Sequence, residues 1–409
     1  MTVAAFMDLA LYDPQFGYYA RAPRRSGRAG DFFTSVDVGP LFGELLAVQV
    51  AECFELLAGA ASAPAGSSAS SPGSDLVEAG AGNGQLATDL LRGLQRHHPA
   101  LVDRVRLHLV DASPAARGAQ RQTLGDLCTR LAASSESLPA SFEGVLVANE
   151  LLDALPVHQV VMRQDGLREV YVCAVDSRQS TVAGHHPTVR SQQSPIVTRR
   201  SCDNGQEARL TADGSPLPTD DCRLTTVEGP LSTPALEDYL ARLGATLEPG
   251  WRAEINLGAV QWIHEAARRL RRGFLVIIDY GHEARHLYSI GHASGTLTAF
   301  SHHTMAGPEL QTPGWLERPG EHDLTAHVDF TSVRAAAEAE GLVTLGFMDQ
   351  TYFLLGLLDD DAPMSLPQRL ALKTLTMPGG LGSTHKVLIL GKDVGAPLLR
   401  SCSFGQRIT

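Results

Sequence analysis

From Asp75 onward, short runs of Val, Leu and Ile alternate with longer stretches whose apolar residues recur at helical spacing. The runs at 76–79, 105–110, 144–148 and 274–279 predict strands, and the stretches at 85–96, 114–131 and 259–272 predict helices between them. Strand followed by helix, repeated, points to a parallel sheet covered on both faces. Beyond it, a helix at 331–340, a strand at 342–348, a helical stretch to 376 and a closing strand at 386–390 predict an antiparallel end strand on a mostly parallel sheet.

Two segments interrupt this rhythm. The first 74 residues hold two helix-like pieces, 3–11 and 40–57, around a glycine-rich loop from Ser26 to Ser35, and then an Ala/Ser/Gly/Pro connector at 58–74. Residues 157–258 form an insertion of about a hundred residues, far beyond an ordinary crossover, and so are expected to make a separate lobe. Its front, 157–175, reads as a hairpin turning at Asp165-Gly166. Its middle, 176–221, is polar and reads as a partly disordered excursion. The expected division is therefore 1–74, 75–156, 157–258 and 259–409.

Composition narrows the class without choosing a function. A 44% hydrophobic and 19% charged chain of 409 residues can bury a sizeable core, and no apolar run reaches the roughly eighteen residues of a membrane span. The stretch from Met1 to Tyr19 lacks a basic region followed by an apolar one and is not arginine-rich, so neither an export signal nor a transit peptide is read there. Six cysteines (Cys53, Cys128, Cys173, Cys202, Cys222, Cys402) without a C-x-x-C pair suit reduced thiols and a cytoplasmic location. A net charge of −11 argues against a sequence-independent grip on nucleic acid and tolerates a cationic partner. Oligomeric state is not legible.

Candidate chemistry sits at the strand ends. The first strand runs into Glu78-Ala-Gly80-Ala-Gly82-Asn-Gly84, and Gln85 then opens a helix. Glycines allow a tight turn and let the backbone approach a ligand closely. The spacing is not the G-x-G-x-x-G of dinucleotide folds, and no Lys-Ser or Lys-Thr follows as in a P-loop. A carboxylate beside the loop repels pyrophosphate but can pair with the methionyl ammonium of S-adenosylmethionine. Asp111, at the end of the second strand, suits a ribose diol, or else serves as a helix cap in competition with Ser113. Asn149 and Glu150, ending the third, would project into the same crevice, or else belong to a capped turn before Pro156. Together, in order, these features read as a methyltransferase site.

His282-Glu283-Ala-Arg-His286 matches H-E-x-x-H, a zinc hydrolase pattern that requires a continuous helix. Gly281 and a strand precede it, and Gly291 follows nine residues after His282, leaving about two turns at most. Ser289 replaces the glycine of the extended pattern, although Glu309 is a formal third ligand. The expectation is no metal, with a zinc hydrolase as an alternative.

Several segments also carry a family resemblance. They are Phe6-Met7 with Leu11-Tyr12-Asp13-Pro14 and Gly17-Tyr18-Tyr19; Gly30-Asp31 with Thr34-Ser35; 78–86; 149–156; Asp279-Tyr280-Gly281; Gly295-Thr296-Leu297; and Asp323-Leu-Thr325-Ala-His327-Val-Asp329-Phe330. In these the chain resembles the MidA-like methyltransferases, which include a mitochondrial complex I assembly factor that methylates a protein arginine. The resemblance implies a class I methyltransferase fold, Rossmann-like, with a helical N-terminal part and a substrate lobe. It implies S-adenosylmethionine as cofactor and a protein substrate, an arginine of a respiratory-complex subunit. Ala81 and Asn83 and the polar 176–221 depart from the expected pattern.

A guanidinium nucleophile needs carboxylates to hold and polarise it. Glu150 and Asp153 are the catalytic candidates, with Asp323, His327 and Asp329 as outer ones. Cofactor binding is assigned to Glu78, Gly80, Gly82, Gly84, Asp111, Asn149 and Thr34. Thr34 and Ser35 either fold over the cofactor or cap the helix near Pro40. A catalytically silent binding factor that keeps the pocket is the remaining alternative.

Overall fold

The computed structural model describes residues 1–21, 34–59, 74–176, 222–301, 304–306, 313–359, 363–405 and 407–408. The loop residues Ser26 to Phe33, most of the connector, the excursion 177–221, Cys202 and Glu309 lie outside them.

Five strands give the sheet its parallel body: β1 (Asp75–Ala79), β2 (Arg106–Val110), β3 (Leu131–Ser135), β4 (Phe142–Asn149) and, after the insertion, β9 (Leu270–His282). The insertion folds into its own antiparallel sheet from β5 (His158–Arg163), β6 (Gly166–Asp176), β7 (Cys222–Gly229) and β8 (Arg252–Ile255), in the order β7-β6-β5-β8. A small sheet of β10 (Thr298–Ser301), β11 (Thr304–Ala306) and β12 (Asp323–Thr325) follows. Two-residue β13 (Val328–Asp329), β14 (Val343–Asp349) and β15 (His385–Lys392) complete the set.

The main sheet has the order β14-β15-β9-β4-β1-β2-β3, with β13 pairing beside the end of β9. β15 runs antiparallel to both neighbours. The antiparallel strand is therefore inserted one place in from the edge, and edge strand β14 shares the direction of the parallel body. The register sets Ala79 beside both Val110 and Ala148, and Asn149 beside Ile278. The chain after β1, β2 and β4 thus leaves the sheet at one level, on either side of the point where strand order reverses, while β9 runs on to His282. Open α/β sheets bind their ligands there.

Alternation along the strands feeds two cores. Leu76, Val145, Val147, Phe274 and Val276 face the helices Leu41–Gly59 and Gln85–His97, while Val77, Leu146, Leu275 and Ile277 face Leu257–Arg269 and Phe330–Ala339. Each fully buried aliphatic side chain contributes roughly 1.5–3 kcal/mol. The two N-terminal helices separate: Leu41–Gly59 covers the main sheet, but Val3–Tyr12 packs Val3, Phe6 and Met7 against Val161, Val170 and Val172 of the inserted sheet and Trp315.

Three local expectations are corrected. The helix expected to 131 ends at Leu124, because Gly125 takes a positive φ of 56° and turns the chain into a short 3-10 segment. The helix expected to 272 ends at Arg269, where Leu270 already lies in β9. Strand β3, Leu-Ala-Ala-Ser-Ser, carried no β-branched run to signal it, and it forms at the sheet edge by pairing with β2.

Candidate active site

The turn after β1 is held by a net of hydrogen bonds. Gly80, Gly82 and Gly84 have φ of 73°, 50° and 85°, conformations that side chains resist. A Cβ on Gly80 would also sit 3.2 Å from the Leu151 side chain. Asp111 accepts from Gly82 N–H at 2.7 Å through one carboxylate oxygen and from Ser113 N–H at 2.8 Å through the other. Ser113, not Asp111, is the N-cap of Pro114–Leu124. Fully buried Gln120 donates to the Gly82 carbonyl at 3.0 Å and accepts from Ser134 Oγ at 2.6 Å. Nothing in the sequence around Gln120 announced that brace.

Glu78 lies below this turn, buried, with one oxygen accepting from Ala87 N–H at 3.1 Å. Burial, reinforced by Asp111 and Asp89 and opposed by that amide, pushes its carboxyl up to about 8. A buried acid with one amide partner and no cation among the described residues is a receptor for an ammonium group.

Across the crevice, a second turn follows β4. Glu150 adopts φ of 49° although it is not glycine, a strained conformation of the kind concentrated at functional sites. Its backbone N–H is tied to Ile278 O at 2.8 Å, and Asp279, wholly buried within β9, accepts from the next two amides, Leu151 at 3.1 Å and Leu152 at 2.7 Å. The Glu150 carboxylate then meets three groups at long range: Asn149 Nδ2 at 3.3 Å, Ser35 N–H at 3.4 Å and His385 Nε2 at 3.5 Å. Asp153 is buried beside it. Burial and the charges of Asp279, Glu150 and Asp323 raise its carboxyl well above the usual range. Asn149 Oδ1 and Asp153 Oδ1 are buried without a hydrogen-bond partner among the described residues. Orphaned acceptors of this kind call for a donor from a ligand.

Phenols complete the acidic wall. Tyr12 donates to Ala154 O at 3.0 Å, Tyr19 donates to Asp323 Oδ1 at 2.9 Å, and the two rings stack at 5.4 Å. Tyr280 packs on His385 with ring centroids 3.9 Å apart. Burial raises the pKa of all three hydroxyls, so they stay protonated donors.

The structure brings Glu78, Gly80, Gly82, Gly84, Asp111, Asn149, Glu150, Asp153 and Asp323 to this one crevice. Thr34 donates to Asp37 at 2.8 Å in the turn before Leu41–Gly59, while Ser35 reaches Glu150 and Gln350. Asp329 is not part of the crevice. It caps Phe330–Ala339 and accepts from Tyr239 and Ser332 at 2.9 and 2.6 Å. The zinc pattern has no helix to stand on: His282 ends β9, the helix Ala284–Leu287 has four residues, and Glu283 is engaged by Arg285 and Arg334.

These residues fit S-adenosylmethionine. The glycine turn is a cradle that a side chain on Gly80 would obstruct, and among the described residues Glu78 lacks a cation and Asn149 Oδ1 lacks a donor.

Known proteins resemble the whole arrangement. The sequence profile of a family described as S-adenosyl-L-methionine-dependent methyltransferases matches residues 45–348. The chain is 28% identical to protein arginine methyltransferase NDUFAF7, mitochondrial, of Danio rerio, over 87% of this chain and 72% of that protein. It is 28% identical to the Mus musculus protein of the same name, over 100% and 79%. A crystal structure from Burkholderia thailandensis, described as a methyl transferase and solved bound to S-adenosyl-homocysteine, superposes with a TM-score of 0.74 at 26% identity, covering 100% of this chain and 91% of that one. The mitochondrial relatives overturn the expected cytoplasmic location. Reduced thiols suit any reducing compartment, so cysteine usage could not separate the two.

Proposed function

The chain belongs to the MidA-like family of S-adenosylmethionine-dependent methyltransferases, and from that premise we propose that its methyl acceptor is a protein arginine. The observation that carries this reading is the wall of Glu150, Asp153, Asp279 and Asp323 beside the glycine turn, with Asp153 Oδ1 and the neighbouring Asn149 Oδ1 buried and unpartnered among the described residues. A guanidinium presents five N–H donors in a planar fork and answers such a wall better than a hydroxyl or a thiol does. The names of the relatives support the same acceptor.

In this reading Glu78 pairs with the methionyl ammonium, Gly80, Gly82 and Gly84 let the backbone meet the cofactor, and Asp111, Asn149 and Thr34 border it. Bound S-adenosylmethionine supplies an electrophilic methyl group on a sulfonium. Glu150 and Asp153 hold the guanidinium with one nitrogen lone pair turned toward the cofactor side. Pairing with the guanidinium cation draws Asp153 out of its neutral form, and the carboxylate so formed takes up the proton that the nitrogen releases. Tyr12, Tyr19 and the N-terminal segment exclude water, and alignment does most of the remaining work. Within this proposal the acceptor protein is a respiratory-complex subunit, a choice supported by the family resemblance alone.

The test is to incubate the full chain with methyl-labelled S-adenosylmethionine and mitochondrial protein, hydrolyse the product, and separate methylated amino acids. Label in ω-methylarginine is expected. Label confined to methyllysine, or to small molecules, overturns the arginine reading.

A further inference from the structure

One cluster belongs to neither wall of the crevice. His282 ends β9, His292 ends the 3-10 turn Ile290–His292, and His327 directly precedes β13. The pairing of Val328 with Gly281 and of Asp329 with His282 draws the first and third together. Ring centroids are 4.9 Å apart for His282 and His292, 5.4 Å for His282 and His327, and 5.7 Å for His292 and His327. One ring nitrogen from each lies within 4.8 Å of the others, and all three residues are half-buried.

Three half-buried imidazoles that face one another without hydrogen-bonding to one another among the described residues are poorly explained as packing, because buried ring nitrogens need polar partners. His327 Nδ1 is buried and has no hydrogen-bond partner among the described residues. His292 Nδ1 lies 3.0 Å from the carbonyl of His286, so its proton is directed there and Nε2 keeps a free lone pair. A second-shell carbonyl fixing a ring in this way is the usual arrangement around histidine-bound metals. Among the described residues, Lys386 is the lysine that bears on both His282 and His327, and it is already paired with Asp349 at 2.6 Å.

We propose that His282, His292 and His327 form a binding site for a borderline divalent transition metal such as zinc, with three protein nitrogens and one open position. Imidazole sets favour zinc and its neighbours over magnesium or calcium. In a tetrahedral site with metal–nitrogen bonds near 2.0–2.1 Å the ligand atoms stand about 3.4 Å apart. The nitrogens must therefore close by up to roughly 1.4 Å on binding. The site uses His282 of the H-E-x-x-H pattern but not His286, which contributes only its carbonyl. A bound ion cross-links β9, the 290–293 turn and the strand segment whose Ala326 N–H is held by Asp153 O at 3.0 Å.

Chelator-treated full-length protein is titrated with cobalt, read by visible absorption, and with zinc, read by calorimetry. One equivalent with tetrahedral-type cobalt bands is expected. His292→Ala lies in a short turn with little to unfold and should weaken binding at least about tenfold, as should His327→Ala, whereas His286→Ala should leave it unchanged. Circular dichroism melting of each variant separates lost ligands from lost fold. Absence of stoichiometric binding, or binding that survives His292→Ala in folded protein, overturns the site.

Discussion

The turns after β1 and β4 leave adjacent parallel strands at the same level, with Ala79 paired to Ala148, yet they are built in opposite ways. The first is backbone: three glycines at positive φ, tied by Asp111 and Gln120 until each carboxylate oxygen and amide has a partner. The second is side chain: a strained Glu150, an acid pushed toward its neutral form and two unpartnered buried acceptors. A satisfied turn can be rigid before any ligand arrives. An unsatisfied one stores its demand for a partner, so the difference separates cradle from reaction wall.

The largest expected effect tests that separation on the second side. Glu150→Gln keeps the shape of the side chain but removes its charge, and should lower kcat/KM about 10²–10³-fold. Affinity for S-adenosyl-homocysteine, measured by calorimetry, should change less than about threefold. An equal loss of cofactor affinity would show that the walls are one device. Gly80→Val is the reciprocal variant. Its side chain must enter Leu151 and accept a φ of 73°, so cofactor affinity should fall about 10–100-fold. An unchanged dissociation constant would remove the turn from the cofactor site.

A third prediction concerns protons. Glu78 has its folded pKa raised to about 8, above its ordinary carboxyl value, so the folded state binds the proton more tightly than the unfolded one. Stability of the ligand-free protein is therefore greatest, as far as this group goes, below the unfolded pKa. It declines as pH rises toward about 8. A cationic ligand that pairs with the carboxylate must displace that proton. Cofactor affinity should rise with pH from 5.5 to 7.5, by up to about tenfold per unit. Glu78→Gln should flatten both trends, and a slope that persists in the variant would assign them to other groups.

The same contrast governs what could be read from sequence. A glycine turn between a strand and a helix is local, so Glu78, Gly80, Gly82 and Gly84 were legible from a dozen consecutive residues, and the parallel sheet around them from the repeated strand-then-helix rhythm. The acidic wall gathers Tyr12, Tyr19, Ser35, Glu150, Asp153, Asp279, Tyr280, Asp323 and His385 from segments up to hundreds of residues apart. Glu150 was read from its place at the end of a strand, whereas Asp153 and Asp323 were anticipated only once the family resemblance had pointed to a guanidinium. Asp329 was misread because an acid before a helix serves equally as a cap, and only packing with Tyr239 distinguishes the two. Strand β3 escaped notice since its pairing, not its composition, makes it a strand. The histidine cluster has no fixed spacing in the chain. The one histidine motif that has such spacing misdirected attention to His286.

The smallest predicted effect sharpens the comparison most. Glycine at position 150 would accept the φ of 49° without strain, relieving on the order of 1 kcal/mol. What it would remove is weak: contacts of 3.3, 3.4 and 3.5 Å to Asn149, Ser35 and His385, and a negative charge that crowds Asp153 and Asp279. Against this stands the greater freedom of glycine in the unfolded chain, about 0.5–1 kcal/mol. The balance leaves Glu150→Gly equal to or slightly more stable than the parent, by up to about 1 kcal/mol in denaturant unfolding, while methyl transfer is lost. Gly80→Ala makes the opposite exchange at the other turn, gaining unfolded-state rigidity but accepting left-handed strain, and should destabilise. If Glu150→Gly were instead destabilising by 2 kcal/mol or more, on the order expected for breaking a buried charge network, Glu150 would be a structural tie and its strained backbone a by-product of that tie.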